Sequence, residues 1–275
     1  MPDRKIKHFI FVRFFTFEDP KYPHDIYDVI FLTKQLLLAK HNALPSLENQ
    51  TNKNFELVFM VNPKFFGNPK YDFVFSALQC ATTLPVKFIK PNEQARLVKE
   101  ALNSYDFVIQ SRMDFDDFIF KDGVADTQNK VKECDSILSY GYCKGYKCFD
   151  RELYNCLLLY KKVGYHSILG SMILKSTFAK KLPFIGAYSF NHTKVKIGIK
   201  GFLEKNGLEF SENMFQQNIS TSAFIYFRGD FSHCELANLP GEFERLKKAK
   251  PTNDKLTKKQ LAEEFGFHLK LNSIE

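Results

Sequence analysis

The chain predicts an α/β fold: a mostly parallel central sheet flanked by helices in the first half, then a mixed α+β C-terminal half. Three observations carry this. Apolar runs such as His8–Phe14 and Phe107–Ile109 are nearly continuous, as in strands covered on both faces. Between such runs lie segments whose apolar residues recur at helical spacing. The two patterns alternate four times, which calls for parallel strands joined by crossover helices.

The first strand is broken only by Arg13, near the end at which ligands bind in open α/β sheets. An arginine there reaches a phosphate or a base, or simply leaves the strand for solvent. A helix is predicted over Tyr27–Leu44, with Ile30, Phe31, Lys34, Leu37, Leu38 and His41 on one face and Pro45 as its stop. A polar turn leads into a second strand, Glu56–Val61, which Asn62-Pro63 ends. A helix over Tyr71–Ala81, a third strand Val86–Ile89 and a helix Glu93–Leu102 capped by Asn92 follow. The fourth strand is read as Asp106–Gln110.

Asp122-Gly123 then turns the chain into a helix over Asp126–Cys134. Ser136–Cys143 and Tyr146–Phe149 read as two strands joined at Lys144-Gly145. Leu153–Tyr160 suits a strand or a helix equally. Gly164–Ser167 reads as a loop, Ser176–Leu182 as a short helix and Tyr188–Lys194 as a polar run. Glu209–Asn213 opens another helix with Ser211 as cap, and Ala223–Phe227 is the last strand. From Glu242 lysines accumulate, while Leu256, Leu261 and Phe265 line one helical face that Gly266 would end. Such a basic amphipathic helix lies on an anionic membrane or is a solvated terminal helix.

With 275 residues, 44% of them hydrophobic, the chain can bury a full core and is not disordered. Its net charge of +8 suits partners that are phosphorylated small molecules, anionic lipid or nucleic acid. Aromatic and basic residues are not interleaved in the manner of RNA-binding surfaces, so nucleic acid is set aside. Six cysteines without a Cys-x-x-Cys pair give no structural zinc pattern. The polar start and the thiols point to the cytoplasm. No apolar run is long enough to span a bilayer. Neither the Gly-x-Gly-x-x-Gly fingerprint nor a Walker A loop is present, so any nucleotide is held in another way.

The stretch that concentrates chemistry is Ser111-Arg112-Met113-Asp114-Phe115-Asp116-Asp117-Phe118. Three carboxylates within four residues repel one another unless something positive sits among them. A divalent cation does this, and hard oxygen ligands suit Mg²⁺ or Mn²⁺ shared with substrate phosphates. A strand ending in Asp-x-Asp is also how nucleotide-sugar transferases hold the donor diphosphate. The plainer reading is a solvated acidic turn.

Three segments together resemble the bacterial "putative rhamnosyltransferase" family, glycosyltransferases of GT-A type: the strand end Val12-Arg13-Phe14; the run Leu44-Pro45-Ser46-Leu47-Glu48-Asn49-Gln50 through Phe55; and Arg112-Met113-Asp114-Phe115-Asp116-Asp117. They cover the N-terminal half in the family's order. The resemblance implies a GT-A-like, Rossmann-type domain over 1–243, with a nucleotide-sugar-binding half (1–120) and an acceptor-binding half (121–243), followed by the basic helical segment 244–275. It implies a nucleotide-diphosphate-sugar donor and a glycan or lipid-linked glycan acceptor of the bacterial surface, such as capsule or lipopolysaccharide. The basic tail would add peripheral contact with the inner face of the cytoplasmic membrane. Asp114 would meet the donor ribose or the metal, Asp116 the metal, and Asp117 the metal or the sugar. Arg112 would orient these carboxylates or neutralise the donor, with Arg13 beside it, and His233 would join the metal or diphosphate alongside Arg228. An inverting transfer needs a general base, for which His192, Glu209, Glu212 and Asp230 are the candidates. Two other classes remain open: a metal-dependent phosphotransferase or phosphodiesterase, which needs acidic ligands where Arg13, Asn62 and Lys90 end the first three strands, and a non-catalytic glycan-binding relative.

Overall fold

The computed structural model describes residues 4–16, 25–149, 152–157, 169–191, 194–228 and 258–266. Among these, one sheet runs β3-β2-β1-β4-β8-β6-β9-β5, with β7 paired to β6. Its strands are β1 (Ile6–Phe14), β2 (Glu56–Val61), β3 (Val86–Ile89), β4 (Phe107–Asp114), β5 (Phe118–Ile119), β6 (Ile137–Phe149), β7 (Glu152–Leu157), β8 (Ser171–Lys175) and β9 (Phe215–Arg228). The first four are mutually parallel, as the alternating pattern requires. Strand β8 enters antiparallel between β4 and β6, and makes the second half mixed.

Alternation along β1 sends Ile10, Val12 and Phe14 into one core and Phe9 and Phe11 into another. The first core is closed by helices α1 (Val29–His41), α2 (Ala43–Glu48) and α3 (Asp72–Cys80). The second is closed by α4 (Gln94–Ser104), α6 (Ser176–Ala179) and α7 (Val195–Lys205). A further short helix, α5 (Gly123–Asn129), follows the motif, and α8 (Lys258–Phe265) is the last element.

Several expectations are corrected. The predicted helix over 27–44 divides at Asn42, and Pro45 falls in the first turn of α2, where its missing N–H costs nothing. The expected polar turn after it is therefore helical, with Leu44, Ser46 and Leu47 buried. The buried residues of α1 are Leu32, Gln35, Leu36, Leu38 and Ala39; of the expected face Leu38 is buried, whereas Ile30 is 68% exposed. Asn92 does not cap α4; a 3₁₀ turn over Pro91–Glu93 precedes it, and the Glu93 carboxylate accepts from the Lys90 N–H at 2.8 Å. Strand β4 runs four residues further than read, because its polar end continues the parallel pairing with β1 as far as Arg13 opposite Asp114. Lys144-Gly145 is no turn but an irregularity of register inside one long strand. Ser211 precedes a 3₁₀ turn, Glu212–Met214, without a side-chain capping bond. Strand β8 and helix α7 were not anticipated.

The apolar face of α8 is not offered to a bilayer. Leu261 and Phe265 are buried in the first core, Lys121 pairs with Glu264 at 3.0 Å, and the Asn49 amide donates to the Glu263 carbonyl at 3.0 Å. Gly266 ends the helix at φ +65°, as expected. Leu256 and most of segment 244–275 lie outside the described residues. Among the described residues no helix is long and apolar enough to cross a membrane.

Candidate active site

Parallel pairing of β1 and β4 sets Arg13 opposite Asp114 and Phe11 opposite Arg112, at the C-terminal edge of the sheet. The strand period puts Arg13, Arg112 and Asp114 on one face. Arg13 Nε and Nη2 both donate to Asp114 Oδ1, at 2.9 and 2.7 Å. Burial works against the charge on Arg13, but the Asp114 carboxylate more than offsets it, with Asp116 adding, and raises the guanidinium's pKa further. The pair is about a third exposed, so its worth to the fold is that of a surface pair, about 1 kcal/mol or less.

Tyr188 reaches this place from the second half of the chain. Arg13 and Arg112 both lie over its ring, at 4.8 and 4.7 Å from the centroid. Its hydroxyl accepts from the Met113 N–H (3.2 Å) and has two carbonyls in reach for its one hydrogen, Phe11 (2.8 Å) and Met113 (2.9 Å). Burial raises the pKa of this phenol, so it stays protonated.

Arg112 is 9% exposed. Among the described residues its guanidinium has no carboxylate partner; it rests on the Tyr188 ring. Five N–H donors held in that state suit an incoming anion. They line a pocket of ≈ 420 Å³ with Arg13, Thr16, Met60, Pro91, Gln94 and residues 188–191. Pro91 and Gln94, from the turn that leads into α4, line one side of it. A roomier cleft of ≈ 660 Å³ opens at the opposite edge of the sheet, among Lys5, Lys132 and Lys175, remote from the carboxylates. Size alone does not make that cleft the site.

The turn after β4 is built in rather than solvated. Asp116 and Asp117 are 3% and 2% exposed. The Asp117 N–H bonds the Asp114 carbonyl at 3.3 Å, and the Asn42 amide, from the joint between α1 and α2, donates to the Asp116 carbonyl at 2.9 Å. Among the described residues no three His, Cys, Asp or Glu side chains form a group able to hold a metal. Part of the compensation the sequence assigned to a cation comes from Arg13. The carboxylates fit a cation only as one shared with a bound phosphate, which would complete the oxygen ligands.

Of the other candidates, Glu212 stands at the opposite edge: β9 begins just after it, with Phe215 level with Ser139 near the start of β6. Its carboxylate is exposed and paired with Lys196 at 2.6 Å, so it is not brought to the carboxylate motif. Glu209, six residues before Phe215, also precedes β9. Arg228 ends β9 three residues beyond Ile225, which pairs with Phe118, and so lies on the motif's edge of the sheet. His192, Asp230 and His233 lie outside the described residues. Sequence reasoning missed Tyr188 and Asn42; nothing local distinguishes either from an ordinary loop or helix-end residue.

A family model described as "Putative rhamnosyl transferase" matches residues 23–224. A search of curated proteins finds no match. Among solved structures, S. aureus TarS is 15% identical over 80% of this chain and 36% of that one, with a TM-score of 0.39. TarS 1-349 is 15% identical over 80% and 60%, at 0.40. HddC from Yersinia pseudotuberculosis is 15% identical over 89% and 100%, at 0.42. The chain thus spans less than two thirds of either TarS chain.

Proposed function

The chain belongs to the family described as "Putative rhamnosyl transferase", and we propose that it is a glycosyltransferase that draws a hexose or deoxyhexose from a nucleotide-diphosphate donor seated in the two-arginine pocket. The observation that carries this reading is Arg112, a buried guanidinium without a carboxylate partner among the described residues, beside a second arginine. Charge grows on the diphosphate as the sugar leaves. Fixed cations in a half-buried pocket stabilise that charge more than they would in water, without reorganising at the moment of reaction. Arg112 binds one phosphate as a planar fork. Arg13 is shared between Asp114 and the donor.

Asp114 and Asp116 would hold Mn²⁺ or Mg²⁺ together with the donor's phosphates. When bound, the cation supplies a Lewis acid to the leaving diphosphate. The acceptor is proposed to be a bacterial surface glycan or its lipid-linked precursor, on family resemblance. Inversion is proposed as the stereochemical course, with Asp230 or His192 as base; Asp230 follows by two residues the strand end that reaches the motif's edge. The phosphodiesterase alternative lacks the further strand-end carboxylates it needs, since Arg13, Asn62 and Lys90 occupy those positions.

Calorimetry of UDP, GDP and dTDP, each with and without Mn²⁺, tests the reading, with sugar-nucleotide hydrolysis as the activity assay. Binding of at least one nucleoside diphosphate, tighter with Mn²⁺, is expected. Absence of all nucleoside diphosphate binding would overturn the donor pocket.

A further inference from the structure

Two guanidiniums in one pocket repel each other, and among the described residues the carboxylate paired with one of them is Asp114. Arg112 and Asp114 are two residues apart on the same strand face, and Asp114 is already held by Arg13. A turn of Arg112 toward Asp114 would take up the N–H fork that an anion needs. What it rests on instead is the Tyr188 ring, whose negative face attracts both guanidiniums.

The ring is fixed by more than its own packing. The Gln110 amide, on β4, donates to the Ile185 carbonyl at 2.9 Å. Residues 186–189 form a tight turn: the Gly186 N–H bonds Ser189 Oγ (2.8 Å) and the Ser189 N–H bonds the Gly186 carbonyl (3.0 Å). The Tyr188 hydroxyl then meets backbone groups of both β1 and β4. The loop is clipped along β4 at Gln110 and again at Met113, and Tyr188 projects from it at a set position.

We propose that Tyr188 is a positioning residue for the donor: its ring holds Arg112 away from Asp114, so that the pocket keeps one guanidinium open to the diphosphate. The proposal rests on the donor reading of this pocket. It assigns the task to the aromatic face, and the hydroxyl only anchors the ring.

The test compares wild type, Tyr188→Phe and Tyr188→Leu for UDP, GDP and dTDP binding with Mn²⁺, for donor KM and kcat, and for thermal unfolding. Tyr188→Phe keeps the face and should bind within about threefold of wild type, while Tyr188→Leu should weaken binding by about tenfold or more. The loss should appear in kcat/KM for the donor, with the melting temperature little changed and with Tyr188→Phe near wild type. Equal binding by Tyr188→Leu and wild type overturns the proposal, as does an equal loss in both variants, which would make the hydroxyl decisive. A parallel fall of kcat and melting temperature in Tyr188→Leu would show a structural role and overturn it too. A wild type that binds none of the three diphosphates refutes the pocket itself, a result distinct from failure of Tyr188 alone.

Discussion

His8 makes the stability of this protein fall with acid in a way that can be calculated. It lies on β1, 1% exposed, and burial drives its pKa down from 6.5 to about 3. Its hydrogen bonds give a second reason. Gln128 Nε2, a donor only, lies 3.3 Å from His8 Nδ1 and also donates to the Asn54 carbonyl. His8 Nδ1 is therefore the acceptor, and Nε2 carries the hydrogen toward Ser111 Oγ at 2.7 Å. Ser111 passes its own hydrogen to Ser171 Oγ (2.6 Å), and Ser171 donates to the Leu169 carbonyl (2.8 Å). A proton added at Nδ1 would face the Gln128 amide hydrogens. The sign follows: the folded state refuses a proton that the unfolded state accepts below 6.5, so this contribution is full above that pH and is lost as pH falls toward 3. The loss at about pH 5, relative to about pH 7, comes to about 2 kcal/mol. Urea unfolding of wild type and His8→Gln across that range checks it, since all other titrations cancel in the difference. Wild type should lose about 2 kcal/mol relative to the variant on acidification. A difference in stability that stays constant with pH refutes the buried neutral imidazole.

Three further outcomes are expected. Arg112→Leu should leave stability unchanged or raise it by about 1 kcal/mol, because a buried guanidinium without a carboxylate is replaced by apolar bulk. The same variant should weaken nucleoside diphosphate binding about tenfold or more in calorimetry; intact binding would remove Arg112 from the pocket's function. Asp116→Asn should abolish the Mn²⁺-dependent part of that binding while the circular dichroism spectrum stays native, and identical wild-type affinities with and without Mn²⁺ would remove the metal from the proposal. Gly266→Ala should destabilise by about 1–3 kcal/mol, as it forces a side chain into the left-handed region and sets a Cβ 2.6 Å from the Pro45 carbonyl oxygen. Faster proteolysis of the terminal segment would show the release of α8, and an unchanged urea midpoint would mean the helix does not depend on this contact.

The parallel half of the fold was legible because its signals are local. Leu57–Val61 is a continuous apolar run and Val86–Ile89 is apolar but for the outward Lys87; Asn-Pro and Lys-Pro follow them, and Glu56–Val61 and Val86–Ile89 are strands with those limits. Where the signal was not local, the reading failed. Helix α1 is apolar nearly all round, so Ile30 and Leu37 competed with the buried Leu32, Gln35, Leu36 and Ala39, and only Leu38 was common to both sets. Leu153–Tyr160 could not be assigned because a short apolar run suits either state, and pairing with β6 decided for a strand over Glu152–Leu157. Strand β8 slips between β4 and β6, a placement set by contacts between residues about 30 to 70 apart in sequence.

The site divides in the same way. That Asp114, Asp116 and Asp117 form a cluster is plain from their spacing, and that something positive must sit among them follows from Coulomb repulsion. Which positive group answers is a question of register, and register between strands about 100 residues apart leaves no mark on either. Had β1 and β4 paired one residue out of step, Arg13 would stand on the opposite face from Asp114 and the carboxylates would need another partner. In the observed register one arginine is spent on Asp114 and the other is kept from it by a tyrosine. The division of labour between Arg13 and Arg112 is thus a property of the pairing, and it explains why a two-arginine pocket forms beside an acidic motif without collapsing into two ion pairs.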